Sequence, residues 1–216
     1  PPRSTLFPYT TLFRSNGSMT VVGDIAQATG AWAHDTWYSI LDHLPDRQPV
    51  RRAELTIGYR IPAPIMDVAA RVLTEAAPDM SPPNSVRSTG DPPRFVPVGE
   101  SLDCLAEVVA EELRVVGAGN LAVIVAGSQV AEVEAVLEAA GIVFGRPTRR
   151  GLDEQVAVVP VGLVKGLEVD AAVVVEPARI IREQDQGVRA LYVALTRATK
   201  RVAVVHAEPL PDLLNP

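Results

Sequence analysis

Apolar residues fall in two patterns along this chain. Continuous runs occupy residues 121–126, 156–161 and 170–175. A strand half-exposed to water would alternate apolar and polar positions, so unbroken Val-rich runs predict strands covered on both faces. Shorter strand-like runs lie at 19–22, 53–57, 94–98, 142–144 and 201–206. Between them, apolar residues recur at helical spacing. Asp35 is placed to cap a helix carrying Trp37, Ile40, Leu41 and Leu44, and Pro62 opens one carrying Ile65, Val68, Ala69, Val72 and Leu73. Further helices are predicted over 101–116, from a Ser128 cap to Gly141, and over 187–199. Residues 78–93 hold five prolines among polar residues and read as a loop, as does the basic stretch 146–154. The predicted class is α/β, a mostly parallel sheet with helices on both faces. No repeat of solenoid period is present.

Composition narrows the picture. The 216 residues are 47% hydrophobic and 21% charged, in the globular range, and long enough to bury a substantial core. A net charge of −6 excludes a global basic footprint for nucleic acid, so any such contact must be local. The single cysteine, Cys104, excludes an intrachain disulfide, and its apolar neighbours predict a buried thiol. His34, His43 and His206 stand apart without ligand partners, so no metal site is predicted. No apolar run reaches the ~20 residues of a membrane helix. The expected location is cytoplasmic, with no membrane partner. Residues 1–18 differ from the rest. Their first fifteen resemble translated sequencing adaptor, and residues 1–18 are expected to be an artefactual or disordered tail, with the coding sequence expected to continue upstream.

Four strings could carry chemistry. Gly23-Asp24-Ile-Ala-Gln27 follows a predicted strand, where ligands gather in parallel sheets, and Gln27 offers an amide to a phosphate or a water. Taken alone it is equally an ordinary turn. Tyr59-Arg60 ends the next strand, and an arginine fork suits phosphate. Lys165-Gly166-Leu-Glu168 precedes an apolar strand, where a carboxylate can accept two hydroxyl hydrogen bonds. Tyr192-Val-Ala-Leu-Thr196-Arg197 ends the last predicted helix. Trp32 lies before the Asp35 cap and off the Trp37 face; by itself it reads as a core or interface residue or as a ligand contact, whereas Trp37 is predicted to be core.

In this order the strings resemble motifs III to VI of the UvrD/Rep-type superfamily 1 helicases. The resemblance covers about residues 19–208. It implies the second motor domain of RecA-like (P-loop NTPase-type) fold, with 19–50 closing the first such domain, 51–208 forming the second and 209–216 a tail. It assigns Arg197 as an arginine finger, with Gln27 and Arg60 also reaching the γ-phosphate as catalytic residues. Gly23, Asp24, Tyr59, Lys165, Gly166 and Glu168 become ATP-binding residues, and Trp32 and Thr196 nucleic-acid contacts. ATP and Mg²⁺ are the implied cofactors. The Mg²⁺ ligands and phosphate loop belong to an N-terminal RecA-like domain, which is the implied partner. Neither is found here. Gly162–Gly166 is no phosphate loop, and the acidic pair in residues 152–155 follows motif III instead of preceding it. This half is therefore expected to be inactive by itself. The short spacing between Arg60 and Lys165 leaves no room for a large inserted domain and points to the HelD-like branch, described as helicase IV-like or RNA polymerase-recycling motors. The working partner is then single-stranded or forked DNA, or RNA polymerase.

Overall fold

The computed structural model describes residues 20–44, 50–99, 102, 104–147 and 154–215. The adaptor-like stretch lies outside these residues, as does Asp153 of the acidic pair. Six α-helices of the described residues are named here: α1 (Trp37–Leu41), α2 (Ala63–Ala76), α3 (Leu105–Val116), α4 (Val130–Ala139), α5 (Pro177–Glu183) and α6 (Gly187–Leu195). The strands are β1 (Ile57–Gly58), β2 (Asn84–Ser85), β3 (Arg94–Pro97), β4 (Leu121–Val125), β5 (Val156–Pro160), β6 (Val169–Val175) and β7 (Ala198–His206). Strands β3 to β7 form one sheet, ordered β3-β7-β6-β4-β5, with every pairing parallel. A separate parallel pair joins β1 to β2.

The Val runs are continuous because the sheet has two buried faces. Ala122, Ile124, Ala172, Val174, Val202 and Val204 point to one side and pack with α2, α6 and Ile180 of α5. Leu121, Val123, Val125, Val173 and Val175 point to the other and pack with Leu105 and Val109 of α3 and Val133 and Leu137 of α4. Successive strand residues alternate faces, so both sets had to be apolar. The starts of β4 and β6 are locked together by a reciprocal pair. Asp170 Oδ2 accepts from the Asn120 backbone N–H at 3.1 Å, and Asn120 Oδ1 accepts from that of Asp170 at 2.9 Å. At the β3 edge, Glu112 of α3 is buried and accepts from Arg94 at 2.9 Å and Arg201 at 2.6 Å.

Several expectations need correction. Residues 20–24 form no strand, and Val21 and Val22 are exposed without a neighbouring strand among the described residues. The predicted strand 53–57 shrinks to β1, and 142–144 form no strand, an isolated bridge lying just beyond them at Gly145. Thr36, not Asp35, caps α1, accepting from the Ser39 N–H at 3.3 Å. Ser128 does not cap α4; its hydroxyl donates to Glu183. The Gly141 stop is as expected. Gly141 sits at φ 71°, and the N–H groups of Gly141 and Ile142 reach back to the carbonyls of Glu138 and Leu137. Cys104 is exposed, because it precedes the first turn of α3 on the side away from Leu105 and Val109. Helix α5 was not foreseen. Of residues 209–216, read as a tail, the turn Asp212–Leu214 inserts Leu214 fully into the core.

Helix α5 follows Glu176, a non-glycine residue at φ 48°. Its carboxylate accepts from the N–H groups of Ala207 at 2.5 Å and Glu208 at 3.3 Å, closing the end of β7. Glu176→Ala removes those acceptors and keeps the left-handed strain, and is expected to cost about 1–3 kcal/mol in urea unfolding. Glu176→Gly removes the same acceptors but relaxes the backbone, and should exceed the Ala variant by about 1 kcal/mol. An Ala variant at least as stable as the Gly variant contradicts this account of Glu176.

Candidate functional site

Parallel pairing of β6 with β7 sets residue 169 against 198. The residues just before these strands, Glu168 and Arg197, therefore emerge side by side at the N-terminal ends of two interior strands. Helix α6 ends at Leu195, so Arg197 stands in the turn beyond it, with Thr196 as the C-cap. The Arg197 guanidinium is buried. Its Nε donates to Val193 O at 3.2 Å, Nη1 to Leu167 O at 3.4 Å and Nη2 to Gln27 Oε1 at 3.2 Å. Gln27 is held from the other side, where its Nε2 donates to Asp24 Oδ2 at 2.6 Å. Asp24 also caps the turn Ile25–Gln27 by accepting from the Ala26 N–H at 3.0 Å. The loop bearing Gln27 is thus organised by Asp24 and docked on Arg197.

Arg60 reaches the same place from the other sheet. Its Nη1 lies 3.0 Å from Glu168 Oε2, in a pair whose side chains are 39% and 54% exposed. Such an exposed pair contributes ~0–1 kcal/mol and exchanges readily. The Arg60 Nε is shielded from water and has no hydrogen-bond partner. Burial holds the Arg197 guanidinium below its ordinary range, and the Arg60 charge adds to that, while Tyr192, Asp24 and Glu168 push the other way. It remains charged at every physiological pH. Two guanidinium groups beside one amide make a place for an anion with several oxygens, and a polyphosphate fits it.

The structure brings together Asp24, Gln27, Arg60, Glu168 and Arg197. Gly166 takes φ 84° in the turn before Glu168, a conformation that suits glycine, and Lys165 beside it is exposed. Tyr59 is exposed next to Arg60. A Cβ at Gly23 would lie 3.1 Å from the Trp37 ring, itself half-buried against the core, so a larger residue there would have to displace the ring slightly. Trp32 is 96% exposed on the loop after Gln27. Thr196, which the resemblance makes a nucleic-acid contact, is the C-cap of α6. It is buried, and its hydroxyl lies 2.9 Å from Tyr192 O and 3.2 Å from Val193 O, so its single proton stays within the helix end.

Two residues at the site were not foreseen. Tyr192 sits one helical turn before Arg197 and was visible in the same string. Its phenol is pushed up to about 12, by burial first and then by the Asp24 carboxylate, against a lowering by Arg197. Arg189, also buried on α6, donates to the carbonyls of Ala76, His34 and Asp35 at 3.0, 3.3 and 3.3 Å, and so moors the loop that carries Trp32. Among the described residues, no group of three His, Cys, Asp or Glu side chains stands close enough to hold a metal ion. No described helix is long and apolar enough to cross a membrane.

Comparison with known proteins agrees with this architecture. Residues 155–205, which carry β5 through nearly all of β7, match the family described as UvrD-like helicase C-terminal domain. Among solved structures, the C-terminal domain of a possible DNA helicase from Lactobacillus plantarum matches with 24% identity and a TM-score of 0.56, over 73% of this chain and 92% of that one. That likeness establishes the fold, a RecA-like α/β domain. The Sulfolobus solfataricus SWI2/SNF2 ATPase core bound to double-stranded DNA aligns at 16% identity and a TM-score of 0.41, over 73% of this chain and 35% of that one. No curated protein sequence matches the chain.

The Tyr192 environment has a consequence for stability. The folded chain favours the neutral phenol. Below about 10, the ordinary tyrosine value, both folded and unfolded chains keep the proton and the contribution is fully present. As pH rises toward about 12 the unfolded chain ionises first and the contribution is lost. Ultraviolet titration of the wild type minus Tyr192→Phe should show a phenolate midpoint near 12. A midpoint near the ordinary value would rule out the buried setting.

Proposed function

We propose that this chain is the second motor domain of an ATP-dependent DNA helicase or translocase of the UvrD type. Residues 19–50 end the first RecA-like domain and residues 51–208 form the second. The observation that carries the reading is the convergence of Gln27, Arg60 and Arg197, from three separated segments, on one anion-seeking cluster. The match of residues 155–205 to the UvrD-like C-terminal domain supports it.

In this reading the three residues meet the γ-phosphate of ATP held by a phosphate-loop domain. Arg197 lies fixed by the carbonyls of Val193 and Leu167 and supplies charge to the transferring phosphoryl group. Arg60 exchanges Glu168 for phosphate oxygens, which frees the Glu168 carboxylate for ribose hydroxyls. Gln27 holds an attacking water or a phosphate oxygen. Gly23 and Asp24 shape the Gln27 loop, Tyr59 lies along the base, and Lys165 and Gly166 border the nucleoside. Trp32 stacks on a base of single-stranded DNA. Mg²⁺ would be held by the phosphate-loop domain. A cytoplasmic location accords with this work.

A second reading is favoured by one observation. Between Arg60 and Lys165 the described chain is spent on α2 to α4 and β2 to β5, with no inserted domain among the described residues. That suits a HelD-like ATPase that binds and recycles RNA polymerase without unwinding duplex. Strand displacement by the full-length protein supports the first reading, and release of stalled polymerase without displacement supports the second.

The purified chain alone is expected to show no ATP hydrolysis, and a phosphate-loop motor domain should confer it. Arg197→Ala should then lower kcat by about 10³–10⁵-fold. Robust hydrolysis by the isolated chain, or an Arg197→Ala protein of undiminished kcat, sinks the shared-site proposal.

A further inference from the structure

We infer that Arg87 is a positioning residue that sets Arg60 at the correct distance from Arg197; the inference rests on the shared ATP site proposed above. Arg87 lies in the proline-rich segment 78–93, far from every motif in the sequence. Its Nη1 donates to two backbone carbonyls at once, Arg60 O at 2.6 Å and Thr199 O at 2.6 Å. Thr199 is two residues beyond Arg197 on β7, so one guanidinium nitrogen ties together the two segments that carry the converging arginines.

The surroundings show why this tie matters. Arg60 is not held by its own side chain, because its pair with Glu168 is half exposed and weak. Its backbone follows a strand of two residues. What fixes that backbone is the 84–87 segment. Asn84 and Ser85 pair with Ile57 and Gly58, and the Ser85 hydroxyl donates to Ile61 O at 2.5 Å. The Arg87 N–H donates to Ser85 Oγ at 3.1 Å, and Arg87 O accepts from the Ala63 N–H at 2.8 Å. Arg87 connects this small assembly to the main sheet. The charge of Arg60 disfavours that of Arg197, so the two groups drift apart unless the backbone holds them. Behind the tie lies an open cavity of about 330 Å³, lined by Arg87, Pro62, Gly90, Lys200 and Arg201 among others. Without the Arg87 side chain, the Arg60 segment is free to move into that space.

Steady-state ATP hydrolysis by the full-length protein tests this with Arg60→Ala, Arg87→Ala, their combination and Arg87→Lys, thermal unfolding being recorded for each. Arg87→Ala should lower kcat by about 10- to 100-fold with little change in KM, the scale of a displaced catalytic group. The double variant should be no worse than Arg60→Ala, because Arg87 acts through Arg60. Arg87→Lys should regain most of the loss, since an ammonium also donates to carbonyls. If Arg87→Ala does not fold, Arg87→Lys with and without Arg60→Ala decides, with the same non-additivity expected. A damaging Arg60→Ala beside a harmless Arg87→Ala, or losses that multiply, overturns the role of Arg87 and leaves the ATP site standing. Arg60→Ala and Arg197→Ala proteins of full activity overturn the ATP site, and the role of Arg87 with it.

Discussion

One backbone hydrogen bond orders the site. The Val169 N–H donates to Arg197 O at 3.1 Å, where β6 and β7 begin to pair. It places the end of the Gly166 turn beside the end of α6. From it follow the contact of Arg197 with Leu167 O and that of the Thr199 hydroxyl with Val169 O at 3.2 Å. The register shifts by one residue between the Val169–Ala198 and Ala171–Arg201 pairs. Beyond that irregularity β7 is fixed by packing, because Ala203 and Val205 fill one core while Val202 and Val204 fill the other. The packing of the sheet holds the body of β7, and the Val169–Arg197 hydrogen bond then sets where Glu168 and Arg197 emerge.

The two arginines are held by different means. Arg197 has lost its water and is compensated by carbonyl oxygens, an amide oxygen and nearby carboxylates. A buried guanidinium without such partners would cost several kcal/mol. Arg60 keeps much of its water and leans on one carboxylate. Its position is a property of its backbone, which depends on the 84–87 segment and on Arg87. One charge is fixed by the core, the other by a clip on the core's edge.

The central sheet was legible because burial on both faces writes itself into unbroken runs such as 121–125 and 171–175. The strings at Gln27, Arg60, Glu168 and Arg197 were legible because each abuts a recognisable run. What was missed depends on information outside the local pattern. Asp35 and Thr36 are both able caps, and the extended backbone at Thr36, φ −137° and ψ 156°, decides between them. Helix α5 is seven residues long and starts after a left-handed glutamate, so it offers no stripe to read. Residues 19–22 carry the composition of a strand, but a strand exists by its neighbour, and none is present among the described residues. Arg87 acts on Thr199, 112 positions away, and nothing in a run of Pro, Ser, Asn and Asp announces such a contact.

The loop between Gln27 and Asp35 shows how the core reaches an otherwise loose segment. It contributes Ile25 and Ala26 to the core at one end and Trp37 and Ile40 at the other. Between them it leaves Trp32 in solvent. Both ends are moored on α6, through Arg197 to Gln27 and through Arg189 to the carbonyls of His34 and Asp35. Arg189 lies on α6 and Arg197 in the turn just beyond it, so both moorings hang from one helix. The arch that presents Trp32 is in this sense an extension of the helix that positions Arg197.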